Sequence, residues 1–211
     1  MKSIVLGILL LLSIQIFGQV KVFSSNFEKH ETEYWPEYNR KDSSALITYG
    51  YYSVKCSKHN ERVYLIPKNS PKLDTFRVEA SILADPKSSK KGTIGVCFGY
   101  HDGFNWNYMF EINNKQQFRI IGHNIHGDFA LSGKKRWPGW ISTKTLKPSY
   151  NLIQINVRGT LVSTLINGEE VYKSTDYLIH DEPGKNGLEV TGKCLAQCNY
   201  FAVFDLRSNQ R

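Results

Sequence analysis

Lys134-Lys135-Arg136-Trp137-Pro138-Gly139-Trp140 brings two indole rings, three cations and a Pro-Gly turn together within seven positions. Sugars present flat C–H faces that an aromatic ring buries, while flanking polar groups take the hydroxyls. A Trp held in a Pro/Gly loop beside cations suits a glycan, an acidic one in particular. Trp106 is a second ring free to be exposed, and His123 is a polar neighbour on the same rim. The expected ligand contacts are therefore Trp137, Trp106, Arg136, Lys135 and His123. Trp140 and Tyr108 are placed to fill a core instead.

Glycoside hydrolysis needs two carboxylates, about 5–5.5 Å apart in a retaining enzyme, and one strand supplies such a pair at alternate positions. No such pair stands out here. Glu111 stands alone in Met109–Asn114, Glu169 and Glu170 are neighbours that a strand points to opposite faces, and Glu28, Glu31 and Glu33 fall in an early polar loop. No catalytic residue is expected. His123, His126 and Asp128 make a metal site if a loop gathers them, but on a strand residues three apart face opposite ways, and loop polarity is the simpler reading. His101-Asp102 begins a turn that the Asp side chain caps. Without a dense Asp/Asn run for calcium, neither metal nor cofactor is expected.

Four cysteines, Cys56, Cys97, Cys194 and Cys198, are an even number for an oxidising compartment. Cys194 and Cys198 flank three residues where the chain reads as turning between two strands, and they are expected to form a disulfide. A C-x3-C without a second pair or a nearby histidine is a weak zinc motif. Cys56 and Cys97 sit inside strand patterns and read as small buried apolar residues.

The elements that must position these side chains are strands. In Gly92–Ile121 apolar residues alternate through Ile94, Val96, Phe98 and Tyr100, then Tyr108, Phe110 and Ile112, with breaks at His101–Phe104 and Asn113–Lys115. Period two over short runs predicts half-buried strands, here three in an antiparallel meander. Val20–Phe27, Tyr51–Ser57, Arg62–Ile66, Thr75–Leu83, Asn151–Arg158, Leu161–Ile166, Glu169–Lys173, Gly187–Thr191 and Asn199–Arg207 read likewise. Asn167-Gly168 is a strong hairpin signal. About a dozen strands with turn-type breaks and no helical period predict an all-β, two-sheet antiparallel sandwich.

Met1–Gly18 has one Lys followed by a short apolar run, so residues 1–19 read as a secretory signal peptide and 20–211 as a single domain. The run is short for a membrane span, and no second such stretch follows. The mature chain is then secreted, periplasmic or at the cell surface, with no membrane span. Removing the leader lowers the formal charge from +8 to +7, dispersed along the chain. Such an excess bears on nonspecific attraction rather than fold. Without a recognition helix or RNP-type aromatics, nucleic acid is not the expected partner.

The fragment order resembles the concanavalin A-like jelly roll of legume lectins, laminin G-type domains and several glucanases. Phe27 and Trp35-Pro36 come first, followed by Ala45–Tyr52, Ile94–Ile112, Gln117–Ile121 and Trp140. The later fragments are Tyr150–Gly159, Leu165–Val171, Asn186–Val190 and Phe201–Leu206. The resemblance spans roughly residues 22–207 and implies that the terminal strands lie side by side and that Trp140 is structural. It does not imply one activity, since these domains share a fold rather than a chemistry. The expected function is a noncatalytic secreted module binding a polysaccharide or a secreted or cell-surface protein. The alternatives are a structural or envelope-assembly domain and, behind that, a glycan hydrolase with an unfamiliar site.

Overall fold

The computed structural model of the chain describes residues 19–59, 61–89, 91–101, 106–131, 139–175 and 183–207. The strands, in chain order, begin with β1 (Val20–Ser25), β2 (Tyr38–Asn39), β3 (Ser43–Thr48), β4 (Tyr51–Cys56), β5 (Arg62–Leu65) and β6 (Phe76–Ala84). The central group is β7 (Thr93–His101), β8 (Trp106–Asn113), β9 (Gln117–Asn124), β10 (Gly127–Ala130) and β11 (Ile141–Ser142). The last are β12 (Asn151–Arg158), β13 (Leu161–Ile166), β14 (Glu169–Ser174), β15 (Lys185–Thr191) and β16 (Cys194–Asp205). One 3-10 turn, Lys29–Glu33, interrupts the early loop.

These strands make two antiparallel sheets packed as a jelly-roll sandwich. The larger runs β14-β13-β12-β6-β16-β4-β3-β2, with β1 also on β16; the smaller runs β10-β9-β8-β7-β15-β5, with β11 also on β9. The meander predicted from Gly92–Ile121 is β7-β8-β9. The terminal strands pair as expected, from Val20 opposite Asp205 to Ser25 opposite Phe201. Asn167 and Gly168 take φ of 52° and 86° and close the β13–β14 hairpin, the left-handed pair that matches strand twist.

The inward residues of both sheets form one core. Trp35, 1% exposed, is its largest side chain, with Phe27, Tyr52 and Phe201 rings at 5.1, 5.2 and 5.2 Å. Burying each such ring contributes about 1.5–3 kcal/mol or more. The structural Trp of this sandwich is therefore Trp35.

The expected Cys194–Cys198 disulfide is not formed; all four cysteines are free. The chain does not turn there. Cys194 and Cys198 lie on the unbroken strand β16, four positions apart, which spans about 13 Å, beyond the roughly 7 Å that a disulfide can bridge. The apparent turn is a bulge, a register shift between Cys198 and Tyr200 opposite β6, where the period-two pattern slips by one residue.

Candidate functional site

Alternation sends Ile94, Val96 and Phe98 of β7 and Tyr108, Phe110 and Ile112 of β8 to the core. Their neighbours in sequence point to the other face of the smaller sheet. A solvated face would leave them exposed, yet Cys97, Met109 and Glu111 are fully buried. The cover comes from the sheet itself. β5 and β10 are the ends of the strand order, about 24 Å apart if five strand spacings lay flat. Arg62 of β5 nonetheless reaches Asp128 of β10, Nη1 to Oδ1 and Nη2 to Oδ2 both at 2.9 Å. Tyr64 of β5 stretches over Met109 and donates to Asn107 Oδ1 of β8 at 3.5 Å. The sheet is curled, and this is its concave face.

Gly95 of β7 is opposite Glu111 of β8 on one side and Glu189 of β15 on the other. Two strand spacings put the glutamate Cα atoms about 9.5 Å apart. Gly95 is required for a local reason, since a Cβ there would lie 2.2 Å from the Phe110 carbonyl oxygen. Both glutamate side chains are 0% exposed, and each has its own cation and hydroxyl. Arg119 Nε donates to Glu111 Oε2, and Thr93 Oγ1 donates to Glu111 Oε1 at 3.2 Å. Arg62 Nε donates to Glu189 Oε1 at 3.2 Å, and Thr191 Oγ1 donates to the same oxygen. Glu189 Oε2 is buried without a partner.

This cluster holds two guanidiniums, three carboxylates and one imidazole, His123, whose Nδ1 lies 2.7 Å from Asp128 Oδ1. Two guanidiniums face three carboxylates here, and the excess negative charge disfavours ionisation of the carboxylate that burial desolvates most. Burial, reinforced by the Glu111 carboxylate and opposed by Arg62 and Arg119, pushes Glu189 well above the usual carboxylate range. Asp128 goes the other way: burial alone would raise it, but hydrogen bonds from Arg62 and His123 outweigh burial and hold it at about 2. Glu189 is thus the carboxylate whose surroundings most favour the protonated form. Deeper in the same face, Asn107 Nδ2 lies 3.3 Å from Cys97 Sγ, and burial pushes the Cys97 thiol up to about 12.

An aromatic ring borders the network. β11 pairs with β9 through Ile141–Phe118 and Ser142–Gln117, so the preceding Trp140 arrives beside Arg119. Their guanidinium carbon and ring centroid are 4.6 Å apart. Trp140 is half-buried rather than enclosed in the core, which corrects the structural role implied for it. The ring therefore borders the concave face.

Of the predicted contacts, His123 lies on the concave face. Trp106 does not. Its ring is partly buried against the core, edge-on to Tyr108 at 6.1 Å and tilted on Phe129 at 5.5 Å. Alternation with Tyr108 already put Trp106 on that side. Lys135, Arg136 and Trp137 lie outside the described residues. His126 is not drawn into the His123–Asp128 contact, and no group of three or more His, Cys, Asp or Glu suited to a metal occurs among the described residues. Arg62, Arg119 and Glu189 were missed, and Asp128 was weighed only as a metal ligand beside His123 and His126. Alternation marks Arg62 and Glu189 as opposite in facing to Val63 and Val190, but which strands adjoin is not written in it.

No protein-family model and no curated protein matches the sequence. Solved structures do match in fold. A carbohydrate-binding module, CBM66 of Bacillus subtilis, superposes with TM-score 0.59 at 12% identity, over 81% of this chain and 91% of that one. An endo-beta-1,3-glucanase of Pyrococcus furiosus gives TM-score 0.63 at 14% identity over 90% and 96%. A Bacillus subtilis protein with a galectin-like fold gives 0.62 at 10% over 88% and 97%. At these identities the likeness is one of fold alone: the chain has the jelly-roll fold that these structures share.

Proposed function

We propose that this chain is a noncatalytic module that binds a polysaccharide on the concave face of its smaller sheet. The observation that carries this reading is Trp140 stacked on Arg119 at the border of a hydrogen-bonded polar network. Sugar recognition needs an apolar plane and polar groups already held in orientation, and mutual hydrogen bonds supply that orientation. Trp137, joined to Trp140 by Pro138-Gly139, belongs to the same ligand surface in this reading, with Lys135 and Arg136 beside it. The carbohydrate-binding module among the fold neighbours supports a sugar over a protein partner. Export through residues 1–19 is part of the proposal, since an extracellular polysaccharide has to be met outside the cell.

One observation favours hydrolysis as a second reading. Glu111 and Glu189 are paired across Gly95, with burial pushing Glu189 above the usual carboxylate range and Arg119 bonded to Glu111, two carboxyl groups in one site. Several fold neighbours are glucanases. The burial of both glutamates speaks for binding, because a hydrolase acid must reach the leaving oxygen. A polysaccharide array, followed by a reducing-end assay on every glycan bound, tests the two together. Retention of a glycan without new reducing ends supports the module; release of sugar that is lost in Glu189→Gln supports the hydrolase.

A further inference from the structure

Strand register brings Cys56 of β4 and Cys194 of β16 directly opposite each other. Both are 2% exposed, on the core-facing side of their strands. We propose that Cys56 and Cys194 are the cysteines that an oxidising environment joins, forming a cross-strand disulfide between β4 and β16.

Residues directly opposed in an antiparallel pair have Cα atoms about 4.5–5.5 Å apart, within the roughly 4.4–6.8 Å that disulfides span. The Cβ atoms must close by about 1 Å or less. The sulfurs now point elsewhere: Cys56 Sγ lies 3.7 Å from the Lys58 carbonyl oxygen and 3.7 Å from Glu61 Oε2. Cys194 Sγ is 3.5 Å from Ser88 Oγ and 3.5 Å from the Leu195 carbonyl oxygen. A thiol is a weak donor, so rotation about each χ1 gives up little.

The other two cysteines have no such partner. Cys198 is opposite Tyr52 on β4 and Ile82 on β6, and Cys97 belongs to the other sheet, opposite Met109 and Gly187. A cleft of about 120 Å³ reaches Cys56 and Cys194 between Lys55, Lys87 and Lys193. Burial raises both thiols, Cys194 to about 12, so exchange is slow once the sandwich has closed and the bond is made as β4 and β16 come together.

The chemistry is thiol–disulfide exchange with a small disulfide such as oxidised glutathione. One cysteine thiolate attacks it to give a mixed disulfide and one glutathione thiol. The second cysteine displaces the other glutathione, so two protein S–H bonds are replaced by one S–S bond and the oxidant leaves as two thiols.

The test is to refold the full chain in a reduced/oxidised glutathione buffer, alkylate it, and read intact mass and a peptide map. The expected result is two alkylated cysteines, Cys97 and Cys198, one linked peptide joining Cys56 to Cys194, and a higher Tm than the reduced chain. A Cys97→Ser/Cys198→Ser variant should give the same linked peptide, and Cys56→Ser/Cys194→Ser should give none. Four alkylated cysteines in the wild type, or a link through Cys97 or Cys198, would overturn the proposal.

Discussion

Arg62 and Asp128 begin at opposite ends of the smaller sheet and meet over its concave face, with both guanidinium–carboxylate contacts at 2.9 Å. This clamp fixes the curl that buries Glu111 and Glu189.

The clamp gives the domain an acid limit. Asp128 is held at about 2, against an ordinary value of 3.8. Its contribution to stability is therefore present above pH 4 and lost as pH falls from about 4 to 2. The linkage is on the order of 1–2 kcal/mol after allowance for the partial exposure of the pair. Urea denaturation should show Asp128→Asn less stable than wild type by that amount at pH 7 and nearly equal to it at pH 2. An equal difference at both pH values would mean that the clamp does not titrate.

The two buried glutamates should respond differently to neutralisation. Glu189 has a raised pKa, so its favourable protonated state is fully present below the ordinary glutamate range and is lost as pH rises through the raised value. Glu189→Gln mimics that state and should cost less than about 1 kcal/mol at pH 7, gaining on wild type as pH rises. Glu111→Gln leaves Arg119 without its carboxylate and should cost about 3 kcal/mol. Denaturation midpoints of both variants from pH 6 to 9 check the order; a reversed order contradicts the charge count.

Much of the fold was legible from residue chemistry. Asn167-Gly168 announced its hairpin because few other residues adopt two successive left-handed conformations. Ile94 to Ile112 announced the meander through period two. What alternation cannot give is strand order, and so Glu111 read as solitary: β15 returns to the far side of Gly95 from a distant part of the chain. Cys194 and Cys198 misled for a different reason, because the bulge beside Asn199 looks like a turn in one dimension. Trp140 was assigned to the core from a likeness of order, whereas its neighbour Ile141 takes the inward position opposite Phe118.

Trp35 and Trp140 separate stability from binding. Trp35→Ala removes a ring buried among Phe27, Tyr52 and Phe201 and should cost about 3–5 kcal/mol. Trp140→Ala removes a half-buried ring stacked on Arg119 and should cost about 1 kcal/mol. Thermal unfolding of both variants decides it; equal losses would return Trp140 to the core.

The central claim is that the concave face and its Trp140 border hold a polysaccharide. Its most direct measurement is titration calorimetry with a polysaccharide retained by the wild type on an array, repeated with Trp140→Ala and Trp137→Ala after circular dichroism has shown both variants folded. The account predicts that each substitution weakens binding by about 1–3 kcal/mol, with no sugar released. Failure of every polysaccharide to bind the wild type, or undiminished binding by folded Trp140→Ala, would contradict it.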